Sequence, residues 1–334
     1  ALNPSIKLGQ YTIMSESRDP LGVADPASRW VPIITANDWW LRDAAGKRVG
    51  NPRYNVFAIN GTDWARQDAN GDRFPQVKAK IDTETLLGSL RAAGLDFVFI
   101  DNASETWFDG NFKQDGAIQK HSDADVGAAW RRSTVAYADA LRKNNPGIQI
   151  LANAFSLGSA EMKGKFEMGL RECLIGRDYS LEKRGWDVMM NSYRAMLREL
   201  KDGSKDVVFG TCGPATPDPA LYRYGLASAL LEDGIYGYSE GGYQRFPWYD
   251  ESDAPIGTPT EPPPTKPDGS GLWVRRYANG IVLVNPPTGT EHLTINLGDC
   301  YRYLKGTVDP AFNNGGDVSV VTLPPRSGLI LLRR

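Results

Sequence analysis

The sequence predicts a (β/α)8 barrel that is followed by a small all-β domain. Short β-rich runs alternate with helical segments over roughly the first 240 residues, a pattern typical of a parallel sheet. A stretch rich in proline and glycine then interrupts this pattern at residues 256–271, and short strands separated by turn residues fill residues 272–334. We therefore expect a catalytic barrel over residues 1–255, a linker, and a β-sandwich-like domain over residues 272–334.

Seven β-rich runs are the predicted strands of the barrel. In chain order they are Ile6–Met14, Asn55–Ile59, Asp96–Ile100, Ile148–Asn153, Leu170–Ile175, Asp206–Thr211 and Gly234–Tyr238. So many strands in one domain favour a closed barrel over an open doubly wound sheet. The count is one short of eight. The missing strand either precedes Ile6 and is absent from this chain, or is supplied by Val31–Thr35, or the barrel is incomplete.

Helical spacing of apolar residues separates several of these strands. The predicted helices are Ile81–Ala93, Ala128–Lys143, Trp186–Lys201 and Pro219–Leu231. Gly94 suits the position just after the first helix, and Asn145-Pro146-Gly147 stops the second. The predicted strands of the terminal domain are Leu272–Tyr277, Gly280–Asn285, His292–Leu297, Val318–Leu323 and Gly328–Leu332.

Composition excludes several classes of function. The chain has 38 Lys and Arg against 40 Asp and Glu, and no run of like charge, so we expect no nucleic-acid or membrane-surface partner. Two histidines, His121 and His292, offer little for a zinc site or a serine triad. The three cysteines are expected to be small buried apolar residues. Nine tryptophans, fourteen tyrosines and eleven phenylalanines, together with the many acids, favour a carbohydrate-active enzyme without metal or other cofactor.

Acidic residues at the carboxyl ends of strands are the candidate catalytic groups, because active sites of such barrels lie there. Asp101 directly follows the apolar run Asp96–Ile100, a place that packing explains poorly. Glu172 lies two predicted strands later, although an ion pair with Arg171 or Arg177 would also explain it. We expect Asp101 to act as nucleophile or base and Glu172 as general acid in cleaving a glycosidic bond of a polysaccharide or oligosaccharide.

Acidic and amide side chains beside tryptophans, in loops after strands, favour a sugar-binding cleft, since rings stack on sugars and polar groups bind their hydroxyls. Each such acid taken alone is more commonly an ordinary loop residue. Asn153 could bind a sugar hydroxyl or one of the two acids, and a helix cap explains it almost as well. We expect the tryptophans among them to line one cleft, with at least two facing it. The predicted substrate-binding residues are Asp38, Trp39, Trp40, Asn102, Trp107, Asn153, Glu240 and Trp248.

Several segments resemble a known family. Gly94–Asn102 resembles the strand motif of bacterial barrel glycosidases, including hypothetical glycosyl hydrolase family 15, although Phe97 stands where that motif usually has glycine. Tyr222–Gly234 and Trp248–Glu251 resemble the family's next two motifs. Arg276–Pro286 and Pro325–Gly328 are similar to its terminal β-domain. The resemblance runs over about the whole chain and implies a barrel fold and glycosidase activity, while it says little about the substrate.

A more distant analogy of fold supports the same pair of acids. If the first strand is absent, Asp101 ends strand four and Glu172 lies on strand six, the two strands that carry the nucleophile and the acid/base in the α-galactosidase and α-glucosidase clan. That clan uses aspartate at both positions. Glu172 departs from this pattern, which leaves the stereochemical outcome open.

Two other classes of function stay open: a non-catalytic carbohydrate-binding or adhesion protein on a barrel scaffold, and a metal-dependent hydrolase using Asp101, Glu105 and Asp109. The chain opens at Ala1 without methionine, a basic segment or an apolar leader, so any signal peptide has been removed or never existed. We expect a secreted or extracellular protein.

Overall fold

A computed structural model describes residues 6–20, 27–51, 54–88 and 94–334. The chain divides into two compact units: Ala1–Gly169 with Glu199–Ser204, and Leu170–Arg198 with Lys205–Arg334. The short segment Glu199–Ser204 thus belongs to the first unit although the second unit surrounds it in sequence. These bounds differ from the expected division at residues 255 and 272. That division stays a prediction about which parts of the chain fold independently.

In its described ranges the first unit combines a parallel sheet, a small antiparallel sheet and three α-helices. Its elements are β1 (Leu8–Ile13), β2 (Glu16–Arg18), α1 (Ala27–Ala36), β3 (Gly50–Asn51), β4 (Val56–Ala58), α2 (Phe74–Asp82) with a π-helical turn (Thr83–Leu87), β5 (Leu95–Asp101), α3 (Ala124–Asn144) and β6 (Gln149–Asn153). The predicted helix Ile81–Ala93 overlaps the end of α2 and the π-helical turn, and residues 89–93 of it lie outside the described residues.

Strands β1, β5 and β6 pair in parallel in that order, with Ile13 beside Asp101 and Ile100 beside Ala152. Their carboxyl ends therefore lie at one edge. Buried side chains of β5 and β6, such as Val98 and Ile150, belong to the core of the unit. Parallel strands covered by helices read as nearly continuous apolar runs, which is why these strands were recognisable in the sequence.

One alternative for the missing barrel strand and one predicted barrel strand are wrong. Val31–Thr35 lies inside the helix α1, where burial recurs with helical spacing and Ile34 is completely buried. Packing against the core outweighs the β-propensity of its branched residues. The run Asn55–Ile59 contains β4, which pairs antiparallel with β2 and β3 in a separate three-stranded sheet.

The second unit begins with a further set of strands and helices. These are β7 (Met168–Ile175), whose residues from Leu170 onward belong to this unit, α4 (Trp186–Met196), β8 (Val207–Gly213), α5 (Pro219–Leu230) and β9 (Ile235–Glu240). Strand β7 neighbours β8, and β8 pairs in parallel with β9, with Gly213 beside Glu240. A disulfide joins Cys173 to Cys212. The expectation that these two cysteines are free apolar residues is therefore wrong.

Together the two units contain six strands of the predicted parallel α/β type, three in each. The alternation of strands and helices is confirmed in the described ranges. A complete (β/α)8 barrel would require eight such strands, two more than these ranges contain. None of the described helices is long and apolar enough to cross a membrane.

The end of the second unit is an antiparallel sheet. Its strands are β10 (Trp273–Tyr277), β11 (Gly280–Asn285), β12 (Leu293–Tyr303), β13 (Asp317–Leu323) and β14 (Ser327–Arg333). They form one five-stranded sheet in the order β10-β11-β14-β12-β13, and not the two facing sheets of a sandwich. One apolar cluster, which includes Leu272, Leu283 and Leu329, lies against it.

Helix α5 packs against β14 of this sheet, as the predicted docking of the terminal domain requires. The approach is close: a Cβ on Gly328 would lie 2.7 Å from the carbonyl oxygen of Arg223, so this position needs glycine. Arg275 of β10 is only 1% exposed, and its guanidinium donates to the carbonyl oxygens of Leu230 and Glu232 and pairs with Asp233. This sheet therefore belongs to the packed body of the second unit.

Candidate active site

Asp101 lies at the carboxyl edge of the first unit's parallel sheet, held by three hydrogen-bond donors. Its Oδ2 accepts from the hydroxyl of Tyr11 at 2.9 Å, and its Oδ1 accepts from the amide of Asn153 at 2.8 Å. The backbone N–H of Asn102 donates to Oδ1 at 3.0 Å. The carboxyl group is thus fixed by three neighbours and accepts a hydrogen bond from each of them.

The local sequence explains why Asp101 is the last residue of β5. Asn102 adopts a positive φ of 51°, a conformation that asparagine tolerates better than most residues, and this ends β5 directly after Asp101. The indole N–H of Trp130 donates to the carbonyl oxygen of Asn102 at 3.2 Å and holds the turn. The predicted residues Asp101, Asn102 and Asn153 therefore come together.

Glu16 is a further acidic residue at this edge, and the sequence reasoning missed it. It opens β2, three residues after β1 ends beside Asp101. Burial raises the pKa of the Glu16 carboxyl, and the negative charge of Asp101 raises it further. A carboxyl group shortly after the first strand of a predicted barrel was the available signal, but no apolar run leads directly into it.

Two aromatic rings lie in the loops that follow β5 and β6. Trp107 is 47% exposed and meets the edge of Phe155, with ring centroids 5.8 Å apart. The backbone N–H of Phe155 donates to the hydroxyl of Ser104 at 3.1 Å, which links the two loops. Exposed aromatic faces of this kind can stack on a sugar ring. Trp107 was predicted to do so, whereas Phe155 was not.

The neighbouring predictions at Trp39 and Trp40 are wrong. Trp39 is completely buried and Trp40 is 3% exposed, so neither ring can stack on a saccharide. Each indole N–H is satisfied inside the protein, by the carbonyl oxygen of Arg66 and the hydroxyl of Thr35 respectively. Both are core residues.

Asp38, which precedes these tryptophans, is engaged within the protein. Its Oδ1 pairs with Arg42 at 2.9 Å and its Oδ2 with Arg66 at 3.6 Å. A carboxylate held by two guanidinium groups fixes the local loop. Its predicted contact with a sugar hydroxyl stays a prediction.

Glu172, the predicted general acid, lies within β7 of the second unit and is half-buried. It accepts a hydrogen bond from the hydroxyl of Tyr243. Burial, and then the Glu172 carboxylate, raise the pKa of that phenol. The same hydroxyl lies 3.2 Å from Sγ of Cys173, so the disulfide and Tyr243 both flank Glu172.

Glu240 and Trp248 line one cavity of about 380 Å³ in the second unit, together with Phe246 and Val308. Trp248 is 68% exposed, and its indole N–H donates to Asp253 at 2.7 Å. Glu240 is 1% exposed: Arg245 pairs with its Oε2 at 2.9 Å, and tyrosine hydroxyls donate to its Oε1. The cavity thus offers an exposed aromatic wall beside a carboxylate that is already engaged.

Asp250 fixes the segment that carries Trp248. Its carboxylate accepts from the backbone N–H groups of Thr307, Val308 and Asp309 at 2.8 to 3.1 Å, and from the amide of Asn313 at 3.3 Å. These donors belong to the loop between β12 and β13 of the terminal sheet. The terminal sheet therefore supports one wall of the Trp248 cavity.

A metal-dependent reaction has no ligand cluster to use in the described ranges, where no three His, Cys, Asp or Glu side chains are placed to hold an ion. Asp109, one of the three acids considered for such a site, instead lies 2.7 Å from Nδ1 of His121. Hydrogen bonds from His121, its backbone N–H first, lower the pKa of Asp109. This pair is exposed at the surface.

Comparisons with known proteins give a family and several distant structural likenesses. The model of hypothetical glycosyl hydrolase family 15 matches residues 1–281. Similar solved structures include an alpha-amylase from Anoxybacillus, with 10% identity, a TM-score of 0.48, and coverage of 98% of this chain and 76% of the amylase. An alpha-amylase from Geobacillus thermoleovorans has 11% identity and a TM-score of 0.45, covering 98% and 77% of the two chains.

The glycoside hydrolase domain of PelA from Pseudomonas aeruginosa is also similar, with 15% identity, a TM-score of 0.42, and coverage of 70% of this chain and 78% of that one. No curated protein matches the chain. Membership of a family rests only on the match to the model of hypothetical glycosyl hydrolase family 15, because that match spans most of the chain.

Proposed function

The chain belongs to hypothetical glycosyl hydrolase family 15 and is a glycosidase, and we propose that it cleaves a polysaccharide or oligosaccharide with two carboxyl groups. In this proposal Asp101 is the nucleophile or base, and a second carboxyl group, for which the sequence suggests Glu172, is the general acid. The observation that carries it is the environment of Asp101, whose two oxygens are aimed by three donors at the carboxyl edge of β5.

The chemistry follows from that environment. A carboxylate fixed by hydrogen bonds can attack the anomeric carbon, or can take a proton from a water that attacks it, without first rearranging. The second carboxyl group must protonate the glycosidic oxygen as the carbon–oxygen bond breaks. The hydroxyl of Tyr11 and the amide of Asn153 keep Asp101 oriented in both cases.

Aromatic rings supply the affinity for the saccharide in this proposal. Trp107 with Phe155 in the first unit, and Trp248 with Phe246 in the second, present exposed faces suited to stacking on sugar rings. The presence of two exposed rings in each unit favours a chain of several sugars as the substrate class.

The test is the release of reducing ends from a panel of microbial and algal polysaccharides. We expect the wild type to hydrolyse at least one of them, and Asp101→Asn to lower kcat by at least ~10³-fold with an unchanged Tm. Asp139→Asn, at an exposed position of α3, is the matched control and should retain full activity. Wild-type turnover by Asp101→Asn would exclude its role. Binding without any hydrolysis by the wild type would instead favour a carbohydrate-binding protein.

We also propose that the protein works outside the cytosol. The Cys173–Cys212 disulfide supports this, since such bonds persist mainly in oxidising compartments. Mass spectrometry after alkylation of the protein taken from its native source tests the idea. Two alkylated cysteines at these positions would contradict it.

A further inference from the structure

Glu16 lies at the same edge of the first unit as Asp101. Strand β1 runs parallel to β5 with Ile13 beside Asp101, and the chain then continues past the end of β5. There the side-chain amide of Asn102 donates to the hydroxyl of Ser15 at 3.4 Å. The side chains of Ser15 and Asn102 are therefore in contact. Glu16 directly follows Ser15, and Asp101 directly precedes Asn102.

Within the described part of the chain, Glu16 lacks the partners that normally accompany a half-buried acid. Among the residues described, no lysine, arginine or histidine forms an ion pair with Glu16 or Asp101, and no donor hydrogen-bonds to the Glu16 carboxyl. Its partner on β4 is Ala58, which has no polar side chain, and Arg18 on the same face of β2 is exposed. Burying an acid without a partner costs free energy, which selection tolerates mainly where the acid has a function.

The two carboxyl groups thus occupy opposite surroundings. Three donors hold Asp101 as an acceptor, whereas burial and the charge of Asp101 favour the protonated form of Glu16 by raising its pKa. Two neighbouring acids, one held by hydrogen-bond donors and the other favoured in its protonated form, are suited to divide the roles of nucleophile or base and of acid.

We propose that Glu16, and not Glu172, donates the proton to the leaving oxygen in the glycosidase reaction. This inference rests on the proposed function and leaves the role of Asp101 unchanged. The Glu16 proton passes to the glycosidic oxygen, which keeps the electron pair of the breaking carbon–oxygen bond. Asp101, or a water that it deprotonates, forms the new bond to the anomeric carbon.

The coupling between the two acids also serves the second half of a retaining reaction. When Asp101 is bound to the sugar as an ester, its negative charge is absent. Glu16 can then remain ionised and take a proton from the water that releases the sugar. In an inverting reaction Glu16 regains its proton from solvent.

The experiment compares Glu16→Gln with Glu172→Gln on the polysaccharide that the wild type hydrolyses, and on a 2,4-dinitrophenyl glycoside of the same sugar. We expect Glu16→Gln to lower kcat on the polysaccharide by ~10²–10⁴-fold. On the dinitrophenyl glycoside the loss should stay below about tenfold, because that leaving group needs no proton. Glu84→Gln, at an exposed position of the π-helical turn, is the matched control.

The outcomes separate this inference from the proposed function. Full activity of Glu16→Gln on the polysaccharide, with a loss in Glu172→Gln, would overturn the inference and leave the proposed function standing. Absence of hydrolysis by the wild type would overturn both. A carbon-detected NMR titration of the Glu16 carboxyl needs no substrate and no Glu16 variant: its midpoint should fall by at least ~0.5 pH unit in Asp101→Asn. An unchanged midpoint would show that the two acids are not coupled.

Discussion

Replacing Asp250 by alanine should destabilise the second unit, because one carboxylate satisfies several donors of another loop. In the folded protein Asp250 accepts from three backbone N–H groups, those of Thr307, Val308 and Asp309, and from the amide of Asn313. Alanine removes every one of these acceptors. The loop between β12 and β13 would then lose its connection to the segment that carries Trp248.

The magnitude follows from the number and exposure of these bonds. Hydrogen bonds to a charged group contribute about 1.5–3 kcal/mol each when well enclosed, and less where water can replace the lost partner. Most of these donors are partly exposed, so we expect a total loss of about 2–3 kcal/mol in the free energy of unfolding. That corresponds to a fall in Tm of roughly 4–10 °C. Asp250→Asn keeps one oxygen acceptor and should lose about half as much.

Urea unfolding followed by circular dichroism at several pH values is the assay. Burial tends to raise the pKa of Asp250, but the backbone N–H donors outweigh it and lower that pKa below its ordinary value of 3.8. The stabilisation by Asp250 is therefore fully present above the unfolded pKa and disappears as the pH falls through the lower folded pKa. The difference between wild type and Asp250→Ala should shrink accordingly below about pH 4.

The control is Asp187→Ala, which removes an exposed acid from the first turn of α4 in the same unit. It should change the free energy of unfolding by less than about 0.5 kcal/mol. Equal stability of the Asp250→Ala and Asp187→Ala proteins at neutral pH would refute the reasoning. So would an Asp250→Ala deficit that persists unchanged at pH 2.

Two further predictions concern the second unit. Arg275→Ala should lower its free energy of unfolding by about 3 kcal/mol, since the buried carbonyl oxygen of Glu232 loses its donor, that of Leu230 keeps only the hydroxyl of Tyr277, and Asp233 loses its ion pair. Denaturant unfolding beside the exposed Arg276→Ala control measures this, and equal curves would contradict it. Replacing Cys173 and Cys212 together by serine should cost roughly 3–4 kcal/mol, because the disulfide closes a loop across 39 positions of sequence. Calorimetry of the double variant tests this, and an unchanged Tm would mean that the bond does not constrain the unfolded chain.

Asp101 and Glu16 show what the sequence could and could not predict about the site. Asp101 was recognisable because an ionisable residue directly follows the apolar run of a buried strand. Glu16 follows β1, whose residues are mostly exposed or half-buried, so no apolar run marked the end of that strand. Its closeness to Asp101 arises from the parallel register of β1 and β5, which is tertiary information.

The errors at Trp39, Cys173 and Cys212 have the same origin. A tryptophan beside an aspartate has the composition of a sugar-binding loop, but only the fold decides whether its ring faces water or the core, and the ring of Trp39 is buried. The two cysteines are far apart in sequence, and they become partners because β7 and β8 are neighbours. Strands read from apolar runs were predicted better, since burial on both faces leaves a local record.

The segment Glu199–Ser204 has a consequence for the order in which the chain can fold during synthesis. Its Glu199 carboxylate accepts from the backbone N–H of Leu157, and the ammonium of Lys201 pairs with Glu167 at 3.2 Å. A nascent chain that ends at residue 169 lacks these partners, so the first unit cannot complete its contacts until the ribosome has released about 35 more residues. By then the opening strand of the second unit has already been made, so the first unit completes its contacts only after synthesis of the second has begun.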